Sequence, residues 1–306
     1  MENHTAKHFV LQLGSLASLY LSLSFLLVLL FGLINILYPD AADTIWEIEN
    51  ANGMVRVGFA MTIVFFPTYL ILTRIVNKTR RKEPDGKYLG LTKWLIYLSL
   101  LVGGAVLLGD LVSVIIKYLE GEVTERFLMK AFSVLVVVGA AFNYYMLDAR
   151  GHWLKKEKKS IEYGIVTSIA VVILLVTGIL SIDSPTKFRE YRLDQTQISD
   201  LQNIQWQIQD YLAINNELPT DLETIATIKL PTAPEDRQPY EYHLTENGFE
   251  LCAEFAGESR PEDMMYARTV MPVGQTGYII NPDNWEHPEG EYCFERVVQL
   301  ETKEGE

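Results

Sequence analysis

The chain has 306 residues, 49% of them hydrophobic, with 26 Lys and Arg against 39 Asp and Glu. The charge is unevenly spread: residues 1–182 carry 17 basic and 14 acidic side chains, and the remaining 124 carry nine and 25. Apolar stretches of about 20 residues or more, the length that crosses a hydrocarbon core of roughly 30 Å, crowd the first part and exclude a wholly soluble protein. The second part has Trp, Tyr and Phe to bury and enough residues for one small domain.

The first apolar stretch runs from Phe9 to Leu37, a helix of about 44 Å at 1.5 Å per residue. It is too long for the roughly 7 to 15 apolar residues of a cleaved signal peptide. Further spans are read at Val57 to Val76, Trp94 to Tyr118, Phe127 to Leu147 and Tyr163 to Ile182, the second containing Pro67. The expected fold is therefore a bundle of five transmembrane helices followed by a small domain.

Loop charge alternates between these spans. Tyr38 to Met54 holds Asp40, Asp43, Glu47 and Glu49 without a Lys or Arg, and the third connection holds Glu120, Glu122 and Glu125. The second connection is basic through Arg80, Arg81 and Lys82, and the fourth through Lys155, Lys156, Lys158 and Lys159. Basic loops stay cytoplasmic because translocating Lys and Arg is disfavoured. These seven residues are read as topogenic, which puts the N-terminus inside and, after five crossings of a cytoplasmic membrane, the acidic C-terminal domain outside. Neither basic loop interleaves aromatics or carries a binding motif, and the acidic domain would repel phosphate. The bilayer, not nucleic acid, is the expected partner.

The third and fourth spans hold Gly109-Asp110, a loop with Gly121-Glu122, and Arg126-Phe127-Leu128-Met129-Lys130. An ionisable group inside a span usually has a partner or a watery cavity. Asp110 is expected to pair with Lys130, which enters the fourth span from the same side, with Arg56 as the second choice. Together with Trp94-Leu95-Ile96-Tyr97 and Tyr144-Tyr145, these residues make the stretch from about 9 to 150 resemble the bacterial multi-pass membrane family called domain of unknown function 5671. The resemblance implies a four-helix membrane module and no activity that could be carried over.

Beyond the fifth span, Ser184-Pro185 reads as a helix start, with Ser able to cap exposed amides and Pro tolerated at the first position. Ile198, Leu201, Ile204, Ile208, Tyr211 and Leu212 then fall on one helical face. A short helix is expected over Asp221 to Ile228. Strands are expected at Tyr240 to Leu244 and Phe249 to Phe255 around Glu246-Asn247-Gly248, a good hairpin signal, with more at Tyr278 to Ile280 and Glu291 to Val298. The domain is read as α+β, a long helix packed on a small antiparallel sheet. Its layout resembles the globular part of type IV pilins and type II secretion pseudopilins, carried by Asp200-Leu201, Glu217-Leu218-Pro219, Pro239-Tyr240-Glu241-Tyr242 and Phe249-Glu250-Leu251-Cys252. Unlike in a pilin, the helix before it is internal, following Ser160-Ile161-Glu162-Tyr163-Gly164, so the resemblance implies a fold and a side of the membrane more than pilus assembly.

Cys252 and Cys293 are the two cysteines of the chain. Both fall in strand-like segments of a domain placed in an oxidising compartment, where a disulfide forms and persists. The five histidines have no ligand spacing, and no phosphate loop, metalloprotease helix or catalytic triad is legible. No cofactor, metal or catalytic residue is expected. The organisation expected is a four-helix transmembrane module over 1–150, a basic cytoplasmic loop and fifth transmembrane helix over 151–182, and an extracytoplasmic pilin-like domain over 183–306. A non-catalytic envelope protein, displaying an interaction or sensing domain to other envelope proteins, fits this pattern. A small transporter or channel-like module using the intramembrane acid is the alternative.

Overall fold

The computed structural model describes residues 2–39, 45–82, 89–225, 230–260, 278–281 and 284–300. The chain divides into two compact units, Met1–Ile182 and Asp183–Glu306. In the first lie α1 (Glu2–Leu37), α2 (Ile45–Lys82), α3 (Leu89–Glu120), α4 (Glu125–Ala149), the short α5 (His152–Lys155) and α6 (Glu157–Leu180). Among the described residues, five helices are long and apolar enough to cross a membrane. Asp40 and Asp43, part of the first acidic connection, lie outside the described residues.

Helix α1 packs most closely on α2, and two glycines allow it. A Cβ at Gly58 would lie 2.6 Å from the Leu29 amide nitrogen, and one at Gly32 would lie 2.9 Å from that of Val55. Both substitutions would force the backbones apart, so small residues set the helix spacing here. Leu26, Leu29, Leu33 and Val55 fill the seam, with Val171 of α6 completing the cluster. Helix α4 is capped by Thr124, whose side chain accepts from the Phe127 amide at 3.1 Å, and Arg126 Nε donates to Asn35 Oδ1 of α1 at 2.9 Å. The outward faces carry large apolar side chains, among them Leu101, Leu108, Phe132 and Val166. Pro67 sits within α2, where it cannot donate to the carbonyl four residues before it.

The second unit opens with α7 (Pro185–Asn215), capped by Ser184, whose hydroxyl accepts from the Lys187 amide. It stops at Asn216 in a left-handed conformation, φ 58°, which Asn tolerates better than most residues. A 3-10 turn, Leu222–Ile225, stands where the short helix was expected; residues 226–228 of that expectation lie outside the described residues. Among the described residues the sheet has four antiparallel strands, β1 (Glu241–Thr245), β2 (Gly248–Phe255), β3 (Tyr278–Asn281) and β4 (Gly290–Leu300), in the order β1-β2-β4-β3. A two-residue turn at Glu246-Asn247 joins β1 to β2.

Alternation along β2 sorts its side chains. Phe249, Leu251, Ala253 and Phe255 join Phe294 of β4 and Ile198, Leu201, Ile204 and Ile208 of α7 in one core. The polar framework around it is specific. Asp194 of α7 pairs with Arg237 at 2.8 Å and accepts from the amides of Ala256 and Gly257, each at 3.1 Å. The Tyr240 hydroxyl donates to Asp200 at 2.7 Å, and that of Tyr242 donates to the Pro219 carbonyl at 2.9 Å. Arg296, 2% exposed, donates to Gln205 Oε1 at 2.6 Å and to the Asn284 carbonyl at 3.0 Å. Its guanidinium lies 4.3 Å from the Trp285 ring centroid, a cation–π contact that helps offset its burial.

Candidate functional site

The densest polar chemistry of the helical unit lies near the C-terminal end of α2. Asn77 and Arg80 are three residues apart on α2, and Tyr144 and Asp148 four apart on α4, so each pair occupies one helical face. Arg80 Nη1 lies 3.0 and 2.9 Å from the two Asp148 carboxylate oxygens and 3.2 Å from Asn77 Oδ1. Asn77 Nδ2 donates to the Tyr144 hydroxyl at 3.1 Å. Arg80 and Asp148 are each 6% exposed, so the ion pair is a buried one held by neutral hydrogen-bonding partners.

Helices α1 and α3 extend this cluster. Gln12 donates to Thr92 Oγ1 at 2.5 Å, and Ser15 and Thr73 share a hydrogen bond of 2.8 Å. A cavity of about 50 Å³ lies among these residues, with Ser99 and Tyr145 also in its wall. Gln12 Oε1 and Arg80 Nε are buried there without a partner among the described residues. The volume suits one or two water molecules, each needing about 30 Å³ and two to four polar contacts. The arrangement can hold a charge pair inside the bundle and hydrate it locally. Beside it, Trp153 stacks on Tyr144 with centroids 5.0 Å apart and donates its Nε1 hydrogen to the Tyr144 carbonyl at 2.9 Å.

The structure redistributes the residues singled out in the sequence. Arg80, read as topogenic, is the buried cation just described. Arg81 reaches Glu157 of α6 at 2.9 Å and the Trp153 carbonyl at 3.3 Å, while Lys82, Lys155, Lys156, Lys158 and Lys159 stay exposed. Among the described residues Asp110, expected to pair with Lys130 or with Arg56, is seen in no ion pair. Lys130 and Arg56 are engaged in interactions of their own. Register bears on this pairing. Gly103 of α3 meets the Phe142 ring of α4, which in an antiparallel pair sets Asp110 level with about residue 135. Five residues separate that level from Lys130, roughly 7.5 Å along the axis. The buried pair that does form was masked in the sequence because Arg80 stands in a run of cations, yet the spacings Asn77/Arg80 and Tyr144/Asp148 on two neighbouring spans were the signal.

In the second unit Cys252 and Cys293, directly opposed on β2 and β4, form a disulfide. On the same face Glu250 opposes Glu295 and Glu254 opposes Glu291 across the strands, like-charge pairs that weaken a sheet. The bridge therefore staples the two strands between repelling carboxylates. Glu250 comes within 4.8 Å of both sulfurs, but oxidised sulfurs offer no thiolate to a metal.

The family model described as Domain of unknown function (DUF5671) matches residues 8–145, a stretch that contains Gln12, Asn77, Arg80, Thr92 and Tyr144 and ends three residues before Asp148. No curated protein and no solved structure matches the chain. Residues 8–145 are thus similar to that family, over the segment that supplies all but one of the groups in the polar cluster.

Proposed function

We propose that this is a multi-pass protein of the cytoplasmic membrane, with its N-terminus inside, that anchors an extracytoplasmic interaction or sensing domain of pilin-like layout and carries out no catalytic step itself. The observation that carries the reading is the Cys252–Cys293 disulfide in the unit that follows the fifth apolar helix, because such bonds persist in oxidising compartments and not in the reducing cytoplasm. Five crossings from a cytoplasmic start lead to that compartment, and basic loops at the second and fourth connections agree with it. The outward apolar faces of the helical unit support insertion, since a surface of Leu, Val and Phe is stable against hydrocarbon and costly against water. One long helix on an antiparallel sheet supports the pilin-like layout, and other envelope proteins are the partners such a domain would meet.

Single cysteines test the topology. With Cys252 and Cys293 replaced, cysteines at Asn52, Lys82, Lys156 and Thr245 are labelled one at a time in intact cells with an impermeant thiol reagent. Labelling is expected at Asn52 and Thr245 only, and labelling at Lys82 overturns the orientation.

A second reading, a small transporter or channel, draws on the hydratable cavity beside Arg80 and Asp148, since buried ionisable groups line ion and proton paths. Ion flux in liposomes that survives deletion of residues 183–306 and is lost in Asp148→Asn would favour it.

A further inference from the structure

A groove of about 470 Å³ runs between α2 and α6, walled by Phe59, Phe66 and Leu70 on one side and Ser168, Val172 and Ile179 on the other. Its wall is almost wholly apolar. The Arg81–Glu157 ion pair fixes how the two antiparallel helices stand. Leu70 is 11 residues before Arg81 and Ser168 is 11 after Glu157, so these two mark one end of the groove at the same level. Phe59 and Ile179, each 11 residues further, mark the other. The groove is therefore about 16 Å long, close to half of a roughly 30 Å hydrocarbon core, the depth of one leaflet.

Cations continue the same line. On α2 the face that carries Ile63, Pro67 and Leu70 next presents Arg74 and then Lys78, about 6 and 12 Å beyond the groove. On α6 Lys158 lies ten residues before Ser168, about 15 Å beyond it and about 80° round the helix, with a long side chain able to reach toward the groove. Arg74, Lys78 and Lys158 are exposed, and none makes an ion pair among the described residues. Two exposed acids stand near them, Glu162 and Glu157, and Glu157 is paired with Arg81, which leaves the site net positive.

We propose that this groove binds an anionic phospholipid, one acyl chain lying between α2 and α6 and the phosphate meeting Arg74, Lys78 and Lys158. The occupant follows from joining two chemistries end to end: an apolar slot of one-leaflet length closed by cations at headgroup depth. A zwitterionic lipid fills the slot but brings its own cation to the positive end. The inference rests on membrane insertion.

The test uses the full chain, purified in detergent and offered equal amounts of dioleoyl phosphatidylglycerol and dioleoyl phosphatidylcholine, with retained lipid read by native mass spectrometry. The phosphatidylglycerol form is expected at least fivefold over the other. Arg74→Gln with Lys158→Gln should bring the ratio near one, whereas Arg150→Gln, at an exposed cation that follows α4 and does not line the groove, should leave it unchanged. Val172→Trp should lower retention of both lipids. Equal retention by the unaltered protein, or an equal effect of Arg150→Gln, overturns the site. Flotation with neutral phosphatidylcholine vesicles separates the two readings: failure to float defeats membrane insertion itself, and flotation without an anionic preference defeats only the lipid site.

Discussion

Removing one partner of the Arg80–Asp148 pair should damage the helical unit more than removing both. The two side chains are 6% exposed each, and Arg80 Nη1 contacts both carboxylate oxygens at 2.9 and 3.0 Å. Asp148→Asn leaves a guanidinium whose other contacts are neutral, chiefly Asn77. Arg80→Met leaves a carboxylate with no cation. Stranding one buried charge costs about 3–5 kcal/mol, and at about 2–4 °C per kcal/mol for a unit of this size the melting midpoint should fall by about 6–20 °C. Arg80→Met with Asp148→Leu removes both charges, and apolar replacement of a buried pair is often neutral, so the double variant should melt above either single one. The assay is a thermal series in detergent, followed by loss of the monodisperse peak. If the single losses add in the double variant, the two residues are uncoupled and the cluster is not organised around this pair.

Two further predictions concern the second unit. Replacing Cys252 and Cys293 with Ser should cost about 4 kcal/mol on the chain-entropy model for a loop of this length, and the intact protein should show no free thiol when denatured without reductant; two titratable thiols would contradict the bridge. Tyr240 donates to the Asp200 carboxylate, and burial first, then that carboxylate, pushes its ionisation well above the ordinary tyrosine range. The unfolded chain loses this proton near pH 10, so the stability Tyr240 contributes is complete below that pH and declines as pH rises beyond it. Tyr240→Phe should flatten the alkaline loss of the unit's melting midpoint, and an unchanged slope would remove Tyr240 from the account.

Much of the fold was legible because its signals are local. Apolar runs gave the long helices, though α1 and α2 extend past them into polar flanks such as Asn77 to Lys82, where no Pro or Gly interrupts the helical hydrogen bonds. The spacing of Ile198, Leu201, Ile204 and Ile208 gave the buried face of α7, Glu246-Asn247-Gly248 gave the hairpin, and the bridge between Cys252 and Cys293 is present. The candidate site was harder to read because it depends on register between helices. Asp110 and Lys130 have suitable chemistry but stand at different levels. Arg80 and Asp148 have the same chemistry, lie 68 residues apart, and are brought level by packing that no single span records. A cation in a basic run also has two competing roles, topogenic and structural, and composition alone does not separate Arg80 from its neighbour Lys82.

The two units are held together by different physics. In the second, apolar side chains of α7 and β2 leave water for a shared core, and the hydrophobic effect supplies the main favourable term. Its remaining problem is the repulsion of Glu250 from Glu295 and of Glu254 from Glu291, and the disulfide sits between those pairs. In the first, Leu, Val and Phe face outward, so in a bilayer little hydrophobic gain is left for bringing one helix against another. What distinguishes the packed bundle from separated helices must then be close backbone approach, as at Gly32 and Gly58, and polar contacts that hydrocarbon cannot replace. This gives the polar cluster a structural role whether or not anything is transported: Gln12, Thr73, Asn77, Arg80, Thr92, Tyr144 and Asp148 draw on four helices, and separating any of them would carry unpaired polar groups toward lipid. The two units should accordingly fail independently, reductant loosening the second and leaving the first, and loss of Asp148 doing the reverse.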